Sequence, residues 1–429
     1  MQEPSINLLS ILLVIGSAQY LFLASALPLI RKANIRPNLI LSALSLVASL
    51  ALMDGFLYEA HYYVRYRNLI GVVWPFYFMY WPLLYFYVRE LTSPKRIEFS
   101  WRQYLHFLPA LLSVLLFMPF YSMSANDKVV DWALLYITPE RMSLSKLNVL
   151  YGVPLLFGPQ KIVYFLLSYR LVMKYNSRIK QSFSSLEKIS LSWLRTVLLF
   201  VFILFFVVTA LPFFAASLPV VREIRNFFYL LIAGFAFYLT FKTILQQELF
   251  SRIEIANQAE LIRTEESPVP EATHASPEQL QELDSVISKS KYQKSQLTGT
   301  RASEIARQLL DLMNSLKPYL NPELTLMELA AKLSVSPHNL SQVFNCEIKK
   351  SFFDFVNEYR VGEAKKLLTS PQYSHYSILG IALEAGFNSK SAFYTAFGKH
   401  AGTTPSEFRK GQAEAWSKRE AAPNIPNSP

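Results

Sequence analysis

The chain has 429 residues, 52% hydrophobic and 14% aromatic, which is long enough for two or three domains and too apolar for an ordinary soluble protein. Its net charge of +11 does not mark a nucleic-acid footprint: residues 1–248 hold 22 Lys/Arg against 11 Asp/Glu and so carry the whole excess, while 249–429 is neutral. One cysteine, Cys346, excludes an intrachain disulfide and a Cys-rich zinc site.

Seven apolar runs precede residue 250: Ile6–Ile30, Asn38–Tyr58, Leu69–Val88, Tyr104–Phe120, Asn148–Met173, Trp193–Leu218 and Asn226–Leu245. Each is near the roughly 20 residues that a spanning helix requires. With the N-terminus outside, the inner loops hold ten Lys/Arg and the outer loops seven, which favours that orientation and leaves the C-terminal part in the cytoplasm. Met1 to Ser5 has no positive charge, and the first run is too long for a signal core, so no cleavable signal is expected.

Within the third run, Pro75 and Pro82 deprive nearby carbonyls of helical partners, which must come from elsewhere in the bundle. In the fifth, Gly158–Pro159 is read as breaking the helix before Gln160 and Lys161. A lysine near mid-span costs about 2.5–3.5 kcal/mol to insert, so Lys161 is expected to face a partner or a wet cavity, with Asp54 the acidic candidate. Asp54, Gln160 and Lys161 are thus the candidate ligand residues. His106 reads as interfacial.

Beyond the seventh run, Thr243 to Arg263 carries Leu245, Leu249, Ile253 and Ala256 on one helical stripe, a short stalk suited to pairing two protomers. TEESPVPEATHASPEQ then reads as a flexible linker. Ser303 to Leu316 is amphipathic, with Ile305, Leu309, Leu312, Met313 and Leu316 inward.

The next stretch holds two helix pairs. Thr325 and Glu328 have capping-box spacing, and the turn LSVS leads to Ser336, which caps a helix with Pro337 at its first position. Ser351 to Leu368 makes a longer linking helix. Ser377 then caps a helix ended by Gly386 in a left-handed turn, and Ser389 caps another that buries Phe393 and Phe397. After Lys410 the polar, Pro-rich tail is expected to be unstructured.

Two helix-turn-helices joined by one linking helix resemble the AraC-type family of transcription regulators. The resemblance covers about Leu316 to Lys410 and is most specific at Gly386–Phe387, Phe393, Phe397, Gly402, Thr404–Pro405 and Phe408–Arg409. It departs from the pattern at Gln342, where Arg is common, at Asn345 and Gly398, where Lys is common, and at Lys349, where Gly is usual. The resemblance implies that each unit puts one helix into the DNA major groove. His338, Asn339, Gln342, Lys390, Ser391 and Tyr394 are then expected on base edges, Lys349, Lys350 and Lys399 on phosphates, and Ser336 and Asn388 at the amino ends of the two helices.

The fold class expected is all-α, a polytopic membrane bundle followed by a cytoplasmic tandem helix-turn-helix domain. Its divisions are a seven-helix sensor at 1–248, a stalk and linker at 249–300, the DNA-binding domain at 301–412 and a tail at 413–429. The function expected is a bacterial inner-membrane regulator that senses a small-molecule or membrane-protein signal. Its partners would be double-stranded DNA, membrane lipid and a second copy of itself. No GxGxxG, GxxxxGK, HExxH or GxSxG motif occurs, and neither an enzyme nor a metal or cofactor is expected. The alternative is a transporter-like membrane protein whose tail is secondary, but no inverted repeat favours it.

Overall fold

The computed structural model describes residues 4–29, 35–93, 100–128, 153–187, 189–215 and 299–420, with isolated positions between 227 and 238. These residues are helical, and no strand occurs among them. Contacts divide the chain into two units, one of Met1–Tyr175 and Leu191–Ser267, the other of Asn176–Ser190 and Pro268–Pro429.

In the first unit α1 (Leu8–Ala26) opens with a reciprocal cap: Asn7 accepts from the Ser10 amide at 2.8 Å, and the Asn7 amide donates to the Ser10 hydroxyl at 2.9 Å. It packs along α2 (Ile35–Glu59). The buried Ser17 and Ser49 each donate a hydroxyl to the other's carbonyl, at 3.0 and 2.9 Å, so small side chains let the two backbones approach closely. Next come α3 (Trp74–Thr92) and α4 (Leu108–Tyr121), with α2 against α3 and α3 against α4. With their flanking turns, these four helices are long and apolar enough to cross a membrane. The fifth and sixth runs form α5 (Val153–Ser182) and α6 (Ser192–Ala215). Phe165 of α5 stacks on Phe202 of α6 with ring centroids 4.1 Å apart. The seventh run, apart from isolated positions, and the whole stalk lie outside the described residues.

Helix α5 continues through Pro159, correcting the expected break. Proline in the first two turns removes one hydrogen bond near a helix end, which the remaining length tolerates. In α3 both prolines have the consequence expected of them. Pro82 cannot donate to the Phe78 carbonyl, and Gln160 of α5 donates its side-chain amide there instead, at 2.9 Å. Pro75 cannot serve Gly71, whose carbonyl accepts the Tyr121 hydroxyl at 2.9 Å and the Trp74 amide at 3.1 Å.

The second unit begins, in its C-terminal part, with α7 (Gly299–Ser315). Leu316, expected on its inner stripe, falls just past the helix end and is exposed, whereas Ile305, Leu309 and Met313 are buried. Then follow α8 (Leu326–Lys332), α9 (Pro337–Val343), α10 (Phe352–Thr369), α11 (Ile378–Glu384), α12 (Lys390–Ala401) and α13 (Pro405–Glu420). Helix α13 extends into the stretch read as an unstructured tail, because AEAWSKRE is rich in strong helix formers.

Both turns close the same way. The Ser334 amide donates to Ala331 and the Val335 amide to Ala330, at 3.1 and 3.0 Å; Gly386 and Phe387 repeat the pattern onto Leu383 and Ala382, at 3.0 and 2.9 Å. The turn residues Ser334 and Gly386 are left-handed, at φ 55° and 88°. They differ in surroundings, since a Cβ on Gly386 would lie 2.5 Å from the Tyr319 carbonyl oxygen and 2.9 Å from the backbone of Leu320. Glycine is required at 386 by two constraints and at 334 by none. Gly386→Ala should therefore cost about 3 kcal/mol or more, while Ser334→Gly should be neutral or stabilise by up to about 1 kcal/mol. Thermal unfolding of the purified chain, followed through amide exchange in α10, checks both.

Candidate nucleic-acid interface

The interface is set by α10, whose two halves serve different cores. Phe352, Phe355 and Val356 enter a cluster with Leu309, Leu329, Leu340 and Phe344, whereas Val361, Ala364 and Leu368 enter one with Ile381, Phe387, Phe393 and Phe397. One end of α10 thus holds the pair α8 and α9, and the other holds α11 and α12.

Arg360 stands at the junction, 1% exposed, one turn beyond Val356 on the same stripe. Its Nε donates to the Tyr319 carbonyl at 2.7 Å, and Nη2 donates to the Asn321 carbonyl at 2.7 Å and the Ser184 hydroxyl at 3.1 Å. Nη1 donates to the Ser184 carbonyl at 3.0 Å and to Asn357 Oδ1 at 3.4 Å. No carboxylate is among these acceptors. Burial pushes the guanidinium down to about 10, which leaves it charged at neutral pH. The sequence reading passed over Arg360, although a charged residue on the inner stripe of a helix is a visible signal.

Each recognition-position helix starts on a working cap. Ser336 accepts from the Asn339 amide at 3.1 Å and Ser389 from that of Ala392 at 3.2 Å. Thr325 and Glu328 close the expected capping box at 3.2 and 3.1 Å. On α9, Ser336 and His338 are exposed and Asn339 and Gln342 half-buried; on α12, Lys390 and Ser391 are exposed and Asn388 and Tyr394 half-buried. Lys390 lies over the Tyr394 ring, 5.5 Å from its centroid, and the Tyr394 hydroxyl is 3.2 Å from that of Ser406. The Asn388 amide donates to the Ser185 hydroxyl at 2.8 Å.

The three lysines expected on phosphates differ. Lys349 is exposed and left-handed, at φ 55°, after the π-helical turn Phe344–Ile348, which explains why glycine suits that position. Lys350 pairs with Glu358 and Lys399 with Asp354, both at 2.6 Å and both onto α10. Burial raises the Asp354 carboxyl, but hydrogen bonds from Lys399 and Ser351 outweigh it and hold the group below its ordinary value.

The candidate ligand residues are only partly brought together. Asp54 accepts from the hydroxyls of Tyr63 and, at 2.8 Å, Tyr77, while Gln160 serves the Phe78 carbonyl next along α3. Asp54 is thus held by tyrosines and not by Lys161, whose ammonium lies 5.3 Å from the centre of the Phe206 ring. Two phenols supply short, rigid donors to a half-buried carboxylate, and this satisfies it without a buried ion pair.

Residues 329–411 match a family model described as a helix-turn-helix domain. They form a helix-turn-helix domain of the AraC type. Over 87 residues the chain is 31% identical to the melibiose operon regulatory protein of Escherichia coli K12, covering 20% of this chain and 28% of that protein. It is 37% identical over 82 residues to the probable transcription factor PqrA of Proteus vulgaris, covering 19% of this chain and 65% of that one. With the HTH-type transcriptional regulator CdhR of Pseudomonas aeruginosa it shares 26% over 111 residues, covering 26% and 32%. The chain thus spans less than two thirds of the length of each of these relatives.

Within that domain Arg360 is fully buried and makes five hydrogen bonds, so its loss should be costly. Arg360→Met should destabilise it by about 3–5 kcal/mol, because the carbonyls of two segments distant in sequence lose their donor together. Arg360→Lys should recover only part, since an ammonium cannot reproduce the planar fork. Chemical denaturation followed by tryptophan-independent probes, such as amide exchange at Tyr319 to Asn321, measures the difference.

Proposed function

We propose that the chain is a membrane-embedded one-component transcription regulator: its N-terminal helices sense a signal at or in the membrane, and its AraC-type domain binds promoter DNA through both helix pairs. The observation that carries this reading is the pairing of α9 and α12 as equivalent, capped helices hung from opposite halves of one rigid α10. Each presents polar side chains in its first two turns, where helices of this kind meet base edges. Successive major-groove faces lie about 34 Å apart, so a single chain can engage one site.

The apolar helices support placement in the cytoplasmic membrane, with the N-terminus outside and the AraC-type domain inside. Lipid is then a partner, and a second copy of the chain would raise the effective concentration of the second DNA-binding domain at a paired site. The relatives are named as an operon regulatory protein, a transcriptional regulator and a probable transcription factor, which supports the regulatory reading of the domain and says nothing of the membrane part.

Selection from a randomised duplex pool by the full chain in lipid nanodiscs tests the reading. Enrichment of one sequence class at moderate salt is expected, and recovery of an unbiased pool refutes it. Against the enriched duplex, substitutions at His338, Asn339, Gln342, Lys390, Ser391 or Tyr394 should each relax specificity by about 1–3 kcal/mol at one base position. Lys349→Ala should weaken all duplexes alike and lower the salt slope by about 0.9. Lys350→Ala and Lys399→Ala should lower it less, because each ammonium already sits on a carboxylate of α10.

A further inference from the structure

The second unit contains a segment foreign to the AraC-type domain. Gln181 to Glu187, which in the chain joins α5 to α6, lies against it at several points. Phe183 forms an antiparallel bridge with Thr325, and the Ser184 amide donates to the Leu324 carbonyl at 3.2 Å. Ser184, 1% exposed, accepts from Arg360 through both its carbonyl and its hydroxyl. Ser185 accepts from Asn388, and Glu187 accepts the hydroxyl of Ser389, the cap of α12. Gln181 lines a cavity of about 320 Å³ with Ser341, Asn345, Lys349 and Lys350.

These contacts fall on the groups that the proposed function gives to DNA: the amino end of α12, the flank of α9 and the two lysines after it. An anion at the amino end of a helix is favoured by the backbone N–H groups and the dipole, and Glu187 supplies one from within the chain. A DNA phosphate approaching the same end would meet that carboxylate. Two anions sharing one donor set repel, so the arrangement admits one at a time.

We propose that residues 181–187 are an intrachain strap that docks on the DNA-binding face and that DNA displaces. This rests on the DNA-binding reading above. The bonds to Arg360 use only two of its donors and leave Tyr319 and Asn321 held, so the strap can leave without dissolving the junction. Arg178, Lys180 and Lys188 beside it carry the opposite charge from Glu187. The side chains that oppose DNA are therefore Glu187 and the seated serines, and the segment's net charge does not.

The test uses the full chain in nanodiscs and a mixed-sequence duplex of about 40 base pairs. The triple variant S184A/S185A/E187Q should bind about three- to tenfold tighter than wild type, and E187Q alone about two- to threefold: the triple loses one charge-assisted bond at Ser184 and one neutral bond at Ser185, while position 187 gives up its charge and keeps an acceptor oxygen. In the wild type, saturating duplex should speed hydrogen exchange at the Ser184 amide. Unchanged affinity in both variants with unchanged exchange at Ser184 overturns the strap. Weaker binding with slower exchange also overturns it, and makes the segment part of the DNA site. Should the triple variant misfold, E187Q and the wild-type exchange still decide. If wild type and variants alike retain no duplex, the DNA-binding reading itself fails, an outcome distinct from variants that bind as wild type does.

Discussion

A single guanidinium with no carboxylate partner holds the AraC-type domain in register. A buried charge is ordinarily a liability, and here it is offset by carbonyl dipoles converging from two chain segments that are distant in sequence, with an Asn side chain from α10 itself. Arg360 suits this position because its planar fork offers five donors at fixed angles, and all of them are used. The apolar core on one side of it joins α8 and α9 to α7 and the first half of α10, and that on the other joins α11 and α12 to the second half. The bonds to Tyr319 and Asn321, with the Lys317–Glu363 pair, fix the loop preceding α8 onto α10 beside the close-packed Gly386 turn, and so help to set the spacing of α9 and α12.

Local chemistry made much of the domain legible in the sequence. Thr325, Ser336, Ser351, Ser377 and Ser389 all cap the helices they precede, since a side-chain oxygen before an apolar-periodic run has few better uses. Gly386 has the left-handed backbone expected of it. What stayed hidden depends on pairs far apart in the chain. Ser184 lies 176 residues from Arg360, and no periodicity connects them. The ion pairs of Lys350 and Lys399 were invisible for the same reason, because each side chain reads locally as a free surface cation. Asp54 shows the complementary limit: charge alone suggested Lys161, while the aromatic wealth that surrounds it supplied phenols instead.

The strap changes what a stalk must do. If residues 181–187 sit on the recognition surface, a signal can reach DNA through the connection between two apolar helices as well as through the chain beyond the seventh run. On the strap proposal, Ser184 leaves a buried site while Ser185 and Glu187 leave more exposed ones, so release would require a handful of hydrogen bonds to exchange with water. The AraC-type domain therefore need not refold to change state.

The proline in α3 has a consequence for assembly order. A helix entering lipid normally arrives with its backbone complete, satisfied within its own segment. On the membrane reading proposed above, helix α3 would not, for the donor to its Phe78 carbonyl is Gln160, 82 residues later in the chain. In a bilayer that carbonyl must wait for α5 to be made and delivered, so the third helix is an unfinished part until the fifth arrives. Synthesis from the N-terminus would then bind α3 and α5 into one assembly step, and a chain stopped short of Gln160 would carry an unsealed backbone that quality-control machinery can recognise.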